Sequence, residues 1–147
     1  MTAAKEILLG VDFGDARTGL ALSDPSGFLA TGAGVIRQTN LRKTAEETAA
    51  FALAHHVARI IVGNPLNMNG TAGPRAERVA AFVRILGEAS GLPVELFDER
   101  LTTVSAHRYL TDGGVFGKKR KNSVDELAAT LILQDYLDRQ KNRTVSG

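Results

Sequence analysis

Residues 7–24 read "ILLGVDFGDARTGLALSD", which is two apolar runs joined by a turn that contains Gly14 and Arg17. Apolar runs on either side of a glycine-bearing turn predict a β-hairpin. The first run ends at Asp12, and an unpaired buried carboxylate is expensive. We therefore expect Asp12 to have a cation or a cluster of donors beside it, unless it only caps the amides of the turn.

Beyond this hairpin, the chain alternates helices and strands. A third extended stretch, "GAGVIRQ", is followed by a helix over 41–55 that Asn40 is placed to cap. A strand at "RIIVGNP", a helix in "GTAGPRAERVAAFVRILGEASG" and a strand at "LPVELFDE" come next. Two helices complete the order, "LTTVSAHRYLTDGG" and "SVDELAATLILQDYLDRQ", with the loop "GVFGKKRKN" between them.

The order β-β-β-α-β-α-β-α-α predicts an α/β fold with a mixed central β-sheet flanked by helices. Ribonuclease H-like folds have this order, and so does the nucleotide-binding half of actin-like ATPases. The 147 residues suffice for one domain, which we place at 1–139, with a flexible C-terminal tail over 140–147.

Composition limits the class of protein further. Hydrophobic residues make up 44% of the chain and charged residues 23%, as in globular proteins. The apolar stretches are far shorter than the roughly 18 residues that a membrane span requires. The absence of cysteine excludes disulfides and thiolate metal sites. The absence of cysteine also suits a cytoplasmic protein, and we expect no membrane partner.

Three further acids, Asp98, Glu99 and Asp125, lie where predicted strands end or helices begin. Strand alternation in "VELFDE" places Asp98 and Glu99 on opposite faces of the sheet. Asp98 is interpreted as a helix-leading acid or a support for a site, whereas both a helix-leading and a ligating role stay open for Glu99. Asp125 lies in "NSVDEL", where Ser123 and Glu126 have the spacing of a capping box, so helix-start chemistry alone explains its position.

The last helix is expected to bring Asp125 toward the strand ends, because its apolar face must pack on the sheet. That predicted face consists of Val124, Leu127, Ala128, Leu131 and Ile132. Carboxylates that meet at one edge of a sheet repel one another, and divalent cations relieve the repulsion. Oxygen ligands without cysteine favour Mg²⁺ or Mn²⁺ over Zn²⁺. Two such ions about 4 Å apart activate a water and stabilise the leaving oxygen of a phosphodiester.

Four stretches of the chain resemble the bacterial YqgF family. They are "GVDFGDARTGLALSD" (10–24), "VGNPLNMNGTAGPRAERV" (62–79), "DERLTTVSAHRYL" (98–110) and "KKRKNSVDELAATLILQDYL" (118–137), in the order and spacing of the family. Members are small ribonuclease H-like proteins, described as pre-16S rRNA nucleases or Holliday junction resolvases and related in fold to RuvC. The resemblance implies that Asp12, Glu99 and Asp125 are catalytic acids that bind metal, with two Mg²⁺ or Mn²⁺ ions expected.

The resemblance also suggests residues that bind the substrate. Arg17 either contacts a phosphate or holds a catalytic carboxylate, with a simple surface-turn role as the alternative. Asn67 lies in the loop "NPLNMNG", which either contacts the nucleic-acid backbone or is only a tight strand-to-helix connection. The basic loop before Asp125 suits phosphate contacts that position a substrate without reading its sequence; it consists of Lys118, Lys119, Arg120 and Lys121.

The sequence therefore predicts a metal-dependent endonuclease that acts on structured RNA, with processing of the 5′ end of pre-16S rRNA implied by the resemblance. Resolution of four-way DNA junctions is the alternative within the same chemistry, because no motif separates 2′-hydroxyl recognition from DNA shape recognition. Monomer and homodimer both stay open. A nucleotide-binding ATPase is disfavoured, since that fold needs two such domains. A non-catalytic RNA-binding factor in ribosome assembly leaves the three acids unexplained.

Overall fold

The computed structural model describes residues 6–101 and 121–146, and in the second segment it describes the side chains of residues 126–141. The strands are β1 (Ile7–Asp12), β2 (Arg17–Ser23), β3 (Ala30–Arg37), β4 (Val57–Asn64) and β5 (Val94–Asp98). The helices are α1 (Leu41–Ala54), α2 (Pro74–Ser90) and α3 (Lys121–Ser146), and a 3₁₀ turn over Glu99–Leu101 follows β5. Most of the helix predicted in "LTTVSAHRYLTDGG" and most of the basic loop lie outside the described residues.

The five strands form one mixed sheet in the order β3-β2-β1-β4-β5. β2 pairs antiparallel with both β1 and β3, whereas β4 pairs parallel with both β1 and β5. This arrangement confirms the predicted α/β fold. Because β1, β4 and β5 are parallel, their carboxyl ends meet at one edge of the sheet, which we call the carboxyl edge.

The sheet is covered on both faces. Leu9 and Val11 of β1 are fully buried in the core that α1 and α2 form on one face, where Phe82 of α2 is also buried. Leu8 of β1 belongs to a second core, which α3 forms on the opposite face. Side chains alternate along a strand, so Asp12 lies on the same face as Leu8, toward α3.

The face that α3 presents to the sheet is partly the predicted one: Ala128 and Ile132 are buried as predicted, but the face is rotated toward Ala129 and Leu133. Leu127 is 39% exposed, whereas Ala129 and Leu133 are fully buried. Gly10 explains this rotation: an ideal Cβ on Gly10 would lie 2.7 Å from Cβ of Leu133 and 2.9 Å from the carbonyl oxygen of Ala129. The absence of a side chain at Gly10 lets this side of the helix approach the sheet most closely.

The ends of α3 also differ from the prediction. The helix begins at Lys121, so Ser123 lies within its first turn and not at the N-cap that a capping box requires. The Glu126 side chain lies over β3 instead, where an ideal Cβ on Gly32 would be 2.7 Å from its Oε2. The helix continues through Ser146, beyond the expected end at residue 140. None of the helices in the described part of the chain is long and apolar enough to cross a membrane.

Candidate active site

Two buried carboxylates lie at the carboxyl edge. Asp12 is the last residue of β1 and is 7% exposed, and Glu99 directly follows β5 and is 4% exposed. These strands are separated in the sheet only by β4. The predicted alternation is confirmed at this point, because Phe97 packs in the core against α3 and Glu99 lies on the same side.

Gly63 of β4 brings the two acids together. An ideal Cβ on Gly63 would lie 2.7 Å from Oε2 of Glu99 and 3.2 Å from its Cγ, so the Glu99 side chain occupies the space above this glycine. In the parallel register Val11 is opposite Val62, and the next step along both strands places Asp12 beside Gly63. Because adjacent strands are about 4.8 Å apart, the Glu99 carboxylate is a neighbour of Asp12.

This pair fits a divalent cation by its donor chemistry. Both groups offer carboxylate oxygens, the ligands that Mg²⁺ and Mn²⁺ prefer, and the missing side chain at Gly63 leaves the space in which Glu99 folds over the sheet. Among the residues whose side chains are described, no three His, Cys, Asp or Glu residues converge as metal ligands. The side chain of Asp125 is not among them. Asp125 precedes Ala129, which contacts Gly10 of β1, by one helical turn.

Arg17 lies at the same edge and on the same face as the two acids. Its strand, β2, begins where β1 ends, and Gly19 is the residue opposite Asp12 in the antiparallel register. Arg17 is two residues from Gly19 and therefore lies on the same face of the sheet. The hairpin turn itself requires glycine, because a Cβ on Gly14 would overlap the carbonyl oxygen of Arg17.

Asn67 is engaged in hydrogen bonds within its own loop. Its Nδ2 donates to Oγ1 of Thr71 at 3.0 Å, and its main-chain N–H donates to the Thr71 carbonyl at 2.9 Å. The N–H of Gly70 donates back to the Asn67 carbonyl at 2.8 Å. These contacts account for the tight connection between β4 and α2, and a contact of this loop with nucleic acid stays a prediction.

The basic loop falls largely outside the described residues. Lys118, Lys119 and Arg120 are not described, and Lys121 is described only as the first residue of α3, without its side chain. Their predicted contacts with phosphate stay predictions.

Arg100 was not among the residues predicted from the sequence. Its Nη2 donates to Oδ2 of Asp98 at 2.7 Å, and its Nε lies 3.1 Å from both carboxylate oxygens. The hydrogen bonds from Arg100 lower the pKa of Asp98, and the same contact raises the pKa of the guanidinium. Oδ1 of Asp98 also accepts the main-chain N–H of Arg100 at 2.9 Å, so Asp98 caps the turn that follows β5, which agrees with its interpretation as a helix-leading acid. Its role as a support for a site stays a prediction. The signal for Arg100 was the pair of opposite charges at i and i+2 in "DER", at the point where β5 passes into the 3₁₀ turn.

A model of the family described as "RuvX: Holliday junction resolvase" matches residues 6–139. Among relatives, a protein of Carboxydothermus hydrogenoformans is 48% identical over 131 residues, 89% of this chain and 95% of that protein. One of Thermoanaerobacter pseudethanolicus is 46% identical over 137 residues, 92% of this chain and 99% of that protein. Both are named "Putative pre-16S rRNA nuclease".

Solved structures share the fold at low sequence identity. The structure of T. thermophilus RuvC in complex with Holliday junction substrate has a TM-score of 0.57 and 14% identity, and the match covers 92% of this chain and 96% of that one. The Fowlpox virus resolvase with its Holliday junction DNA has a TM-score of 0.53 and 10% identity, with coverages of 91% and 98%. The resemblance seen in the sequence is confirmed: with its family match over residues 6–139 and close relatives along most of its length, this chain belongs to the RuvX family.

Proposed function

We propose that this protein is a metal-dependent endonuclease that hydrolyses phosphodiester bonds in structured nucleic acid. The observation that carries the proposal is the buried pair of Asp12 and Glu99 at the carboxyl edge, on the face toward α3. Two neighbouring carboxylates offer the oxygen ligands that Mg²⁺ and Mn²⁺ prefer. Membership of a family described as resolvases and the names of the relatives agree with this chemistry.

Asp12 and Glu99 would hold Mg²⁺ or Mn²⁺, and two ions are the arrangement we propose. When bound, such ions activate the attacking water and stabilise the leaving oxygen. Asp12 lies at the end of a central strand, and the Glu99 side chain packs against the backbone of Gly63, which has no side chain. We assign Asp125 as the third acid, because it lies one turn before the part of α3 that packs on β1.

Basic residues would position the substrate. Arg17 shares the edge and face of the acids, where its guanidinium can bind a phosphate in a bidentate manner. Lys118, Lys119, Arg120 and Lys121 precede Asp125 in the chain and would add contacts to the backbone of the nucleic acid. Asn67 would contribute through the exposed surface of its loop.

Pre-16S rRNA is the substrate that we propose first, with processing of its 5′ end in the cytoplasm. The support is the name that relatives with 46–48% identity carry over most of their length. A four-way DNA junction is the second candidate, supported by the description of the family. Symmetric resolution of a junction needs two active sites, so the second candidate calls for a homodimer whereas the first is compatible with a monomer.

The test compares cleavage of an end-labelled pre-16S rRNA leader with cleavage of a four-way DNA junction, each in Mg²⁺, Mn²⁺ or EDTA. We expect metal-dependent cleavage of the RNA, and a loss of roughly 100- to 1000-fold in Asp12→Asn and Glu99→Gln. Glu88→Gln is the matched control, because Glu88 is an exposed acid of α2, on the other face of the sheet.

Three other results of this experiment would change the proposed function or the proposed site. Paired symmetric cuts in the junction, without cleavage of the RNA, would assign the resolvase activity instead. Cleavage that persists in EDTA, or in both carboxamide variants, would contradict the proposed site. Binding of RNA without cleavage, unchanged in Asp12→Asn, would favour the assembly factor.

A further inference from the structure

Arg100 contacts the Asp98 carboxylate through both its side chain and its main chain. Two guanidinium nitrogens, Nε and Nη2, bind the Asp98 carboxylate at 2.7–3.1 Å. The main-chain N–H of Arg100 donates to Oδ1 of Asp98 at 2.9 Å. The carboxylate therefore holds both the side chain and the backbone of the residue two positions later.

The third guanidinium nitrogen reaches the loop between β4 and α2, residues 65–73, which we call the amide loop. Nη1 of Arg100 donates to the carbonyl oxygen of Met68 at 3.2 Å. Gly70 of this loop has φ +87°, and an ideal Cβ built on it would lie 3.4 Å from Nη1. The backbone of the amide loop thus passes directly against the guanidinium, which joins the loop to the end of β5.

The amide loop is hydrogen-bonded as one unit, so a single anchor orients the whole loop. Thr71 connects the side chains of Asn67 and Asn69, with hydrogen bonds of 3.0 and 2.6 Å. Met68 of this loop is 90% exposed. The contact at Met68 therefore joins this exposed loop to the turn after β5 that contains Glu99.

Glu99 lies between the two residues of this ion pair. Asp98 and Arg100 bind each other on one side of the chain, and the Glu99 side chain is directed to the opposite side, over Gly63. Rotation of the backbone at Glu99 would break the contacts of Asp98 and Arg100. The ion pair consequently fixes the direction in which the Glu99 carboxylate points.

We propose that Arg100 is a positioning residue of the active site: through Asp98 and Met68 it sets the place of the Glu99 carboxylate and holds the amide loop beside it. This role rests on the proposed function. It requires an arginine, because three nitrogens act at once on two partners, and a lysine ammonium carries its donors on one nitrogen and lacks the planar fork.

The test measures kcat, KM and the Mn²⁺ concentration at half-maximal cleavage, together with Mn²⁺ binding by calorimetry without nucleic acid. For Arg100→Ala we expect kcat to fall 10- to 100-fold and Mn²⁺ binding to weaken about 10-fold, as for other residues that orient metal ligands. KM should change less than about twofold, and Arg100→Lys should restore only part of kcat. Arg42→Ala, at an exposed arginine of α1, is the control and should behave as the wild type.

A double-mutant cycle with Asp98→Asn tests the coupling. Since both changes break the same ion pair, the double variant should be no worse than Arg100→Ala alone. Wild-type kcat and Mn²⁺ binding in Arg100→Ala would overturn the proposal, and so would an increase confined to KM, which would indicate direct contact with the substrate. If Arg100→Ala does not fold, Arg100→Lys and Asp98→Asn decide by the same measurements. A wild-type protein that binds Mn²⁺ but cleaves nothing would overturn the proposed function, and Mn²⁺ binding by the variants would still decide the role of Arg100.

Discussion

Replacement of Gly63 by alanine is expected to displace the Glu99 carboxylate while leaving the fold intact. The new Cβ would lie 2.7 Å from Oε2 of Glu99 and 2.6 Å from Cδ1 of Ile132. Both distances are about 1 Å shorter than a comfortable contact between heavy atoms. The two close atoms are the far ends of side chains, so these side chains can move and the strand can stay in place.

The magnitude of each effect follows from this geometry. An overpacked methyl group in a buried site costs about 1–3 kcal/mol of unfolding free energy. A shift of about 1 Å at a reacting group costs roughly 100-fold in rate. Gly63→Ala should therefore fold, lose a modest part of its stability and lose most of its nuclease activity.

The assay combines urea denaturation with metal-dependent cleavage of the RNA substrate. Gly87→Ala is the matched control, because a Cβ at Gly87 in α2 meets only Cγ2 of Val94, at 3.9 Å. This control should gain about 0.4–1 kcal/mol from the reduced entropy of the unfolded chain, and its activity should be unchanged. In the double variant Gly63→Ala with Ile132→Val, removal of Cδ1 relieves one contact, so part of the stability should return while the activity stays low.

Two results would refute this reasoning. Wild-type activity in Gly63→Ala would show that the position of Glu99 above β4 does not matter for cleavage. Recovery of activity in the Ile132→Val double variant would show that crowding of α3, and not displacement of the carboxylate, had caused the loss.

Two further predictions concern stability. Gln134→Ala should lower the free energy of unfolding, measured in urea, by about 1–3 kcal/mol. The reason is that Oε1 of Gln134 accepts the N–H of buried Ala30 at 2.9 Å, and its Nε2 donates to the Phe28 carbonyl at 2.9 Å. A loss below about 0.5 kcal/mol would contradict this. Hydrogen bonds from the Ser26 hydroxyl and from the main-chain N–H of Leu29 lower the pKa of Asp24 from 3.8 to about 2. Because the folded state has the lower pKa, the stability from Asp24 is present above pH 3.8 and is lost as the pH falls through about 2. The difference in Tm between the wild type and Asp24→Asn should narrow over that interval, and a constant difference would disprove the assignment.

Local patterns in the sequence determined most of the elements. The hairpin followed from two apolar runs around a glycine turn, and Gly14 does meet the Arg17 carbonyl so closely that no side chain fits there. Asn40 was predicted to cap α1, and its side chain accepts the N–H of Lys43 at 2.9 Å. Such signals are readable because the groups involved lie within a few residues of one another. Four motifs in one order also sufficed to identify the family.

Only the tertiary structure decided how these elements meet. Periodicity showed that α3 has an apolar face, but its rotation depends on Gly10, which lies more than 100 residues earlier in the chain and lets Ala129 and Leu133 approach. Likewise, the sequence does not show where the Glu99 side chain lies, and the bare backbone of Gly63 on another strand leaves the space that its carboxylate occupies. Both outcomes depend on the absence of a side chain at a distant position. A local pattern does not contain that information, because it arises only when strands pair and a helix packs on them.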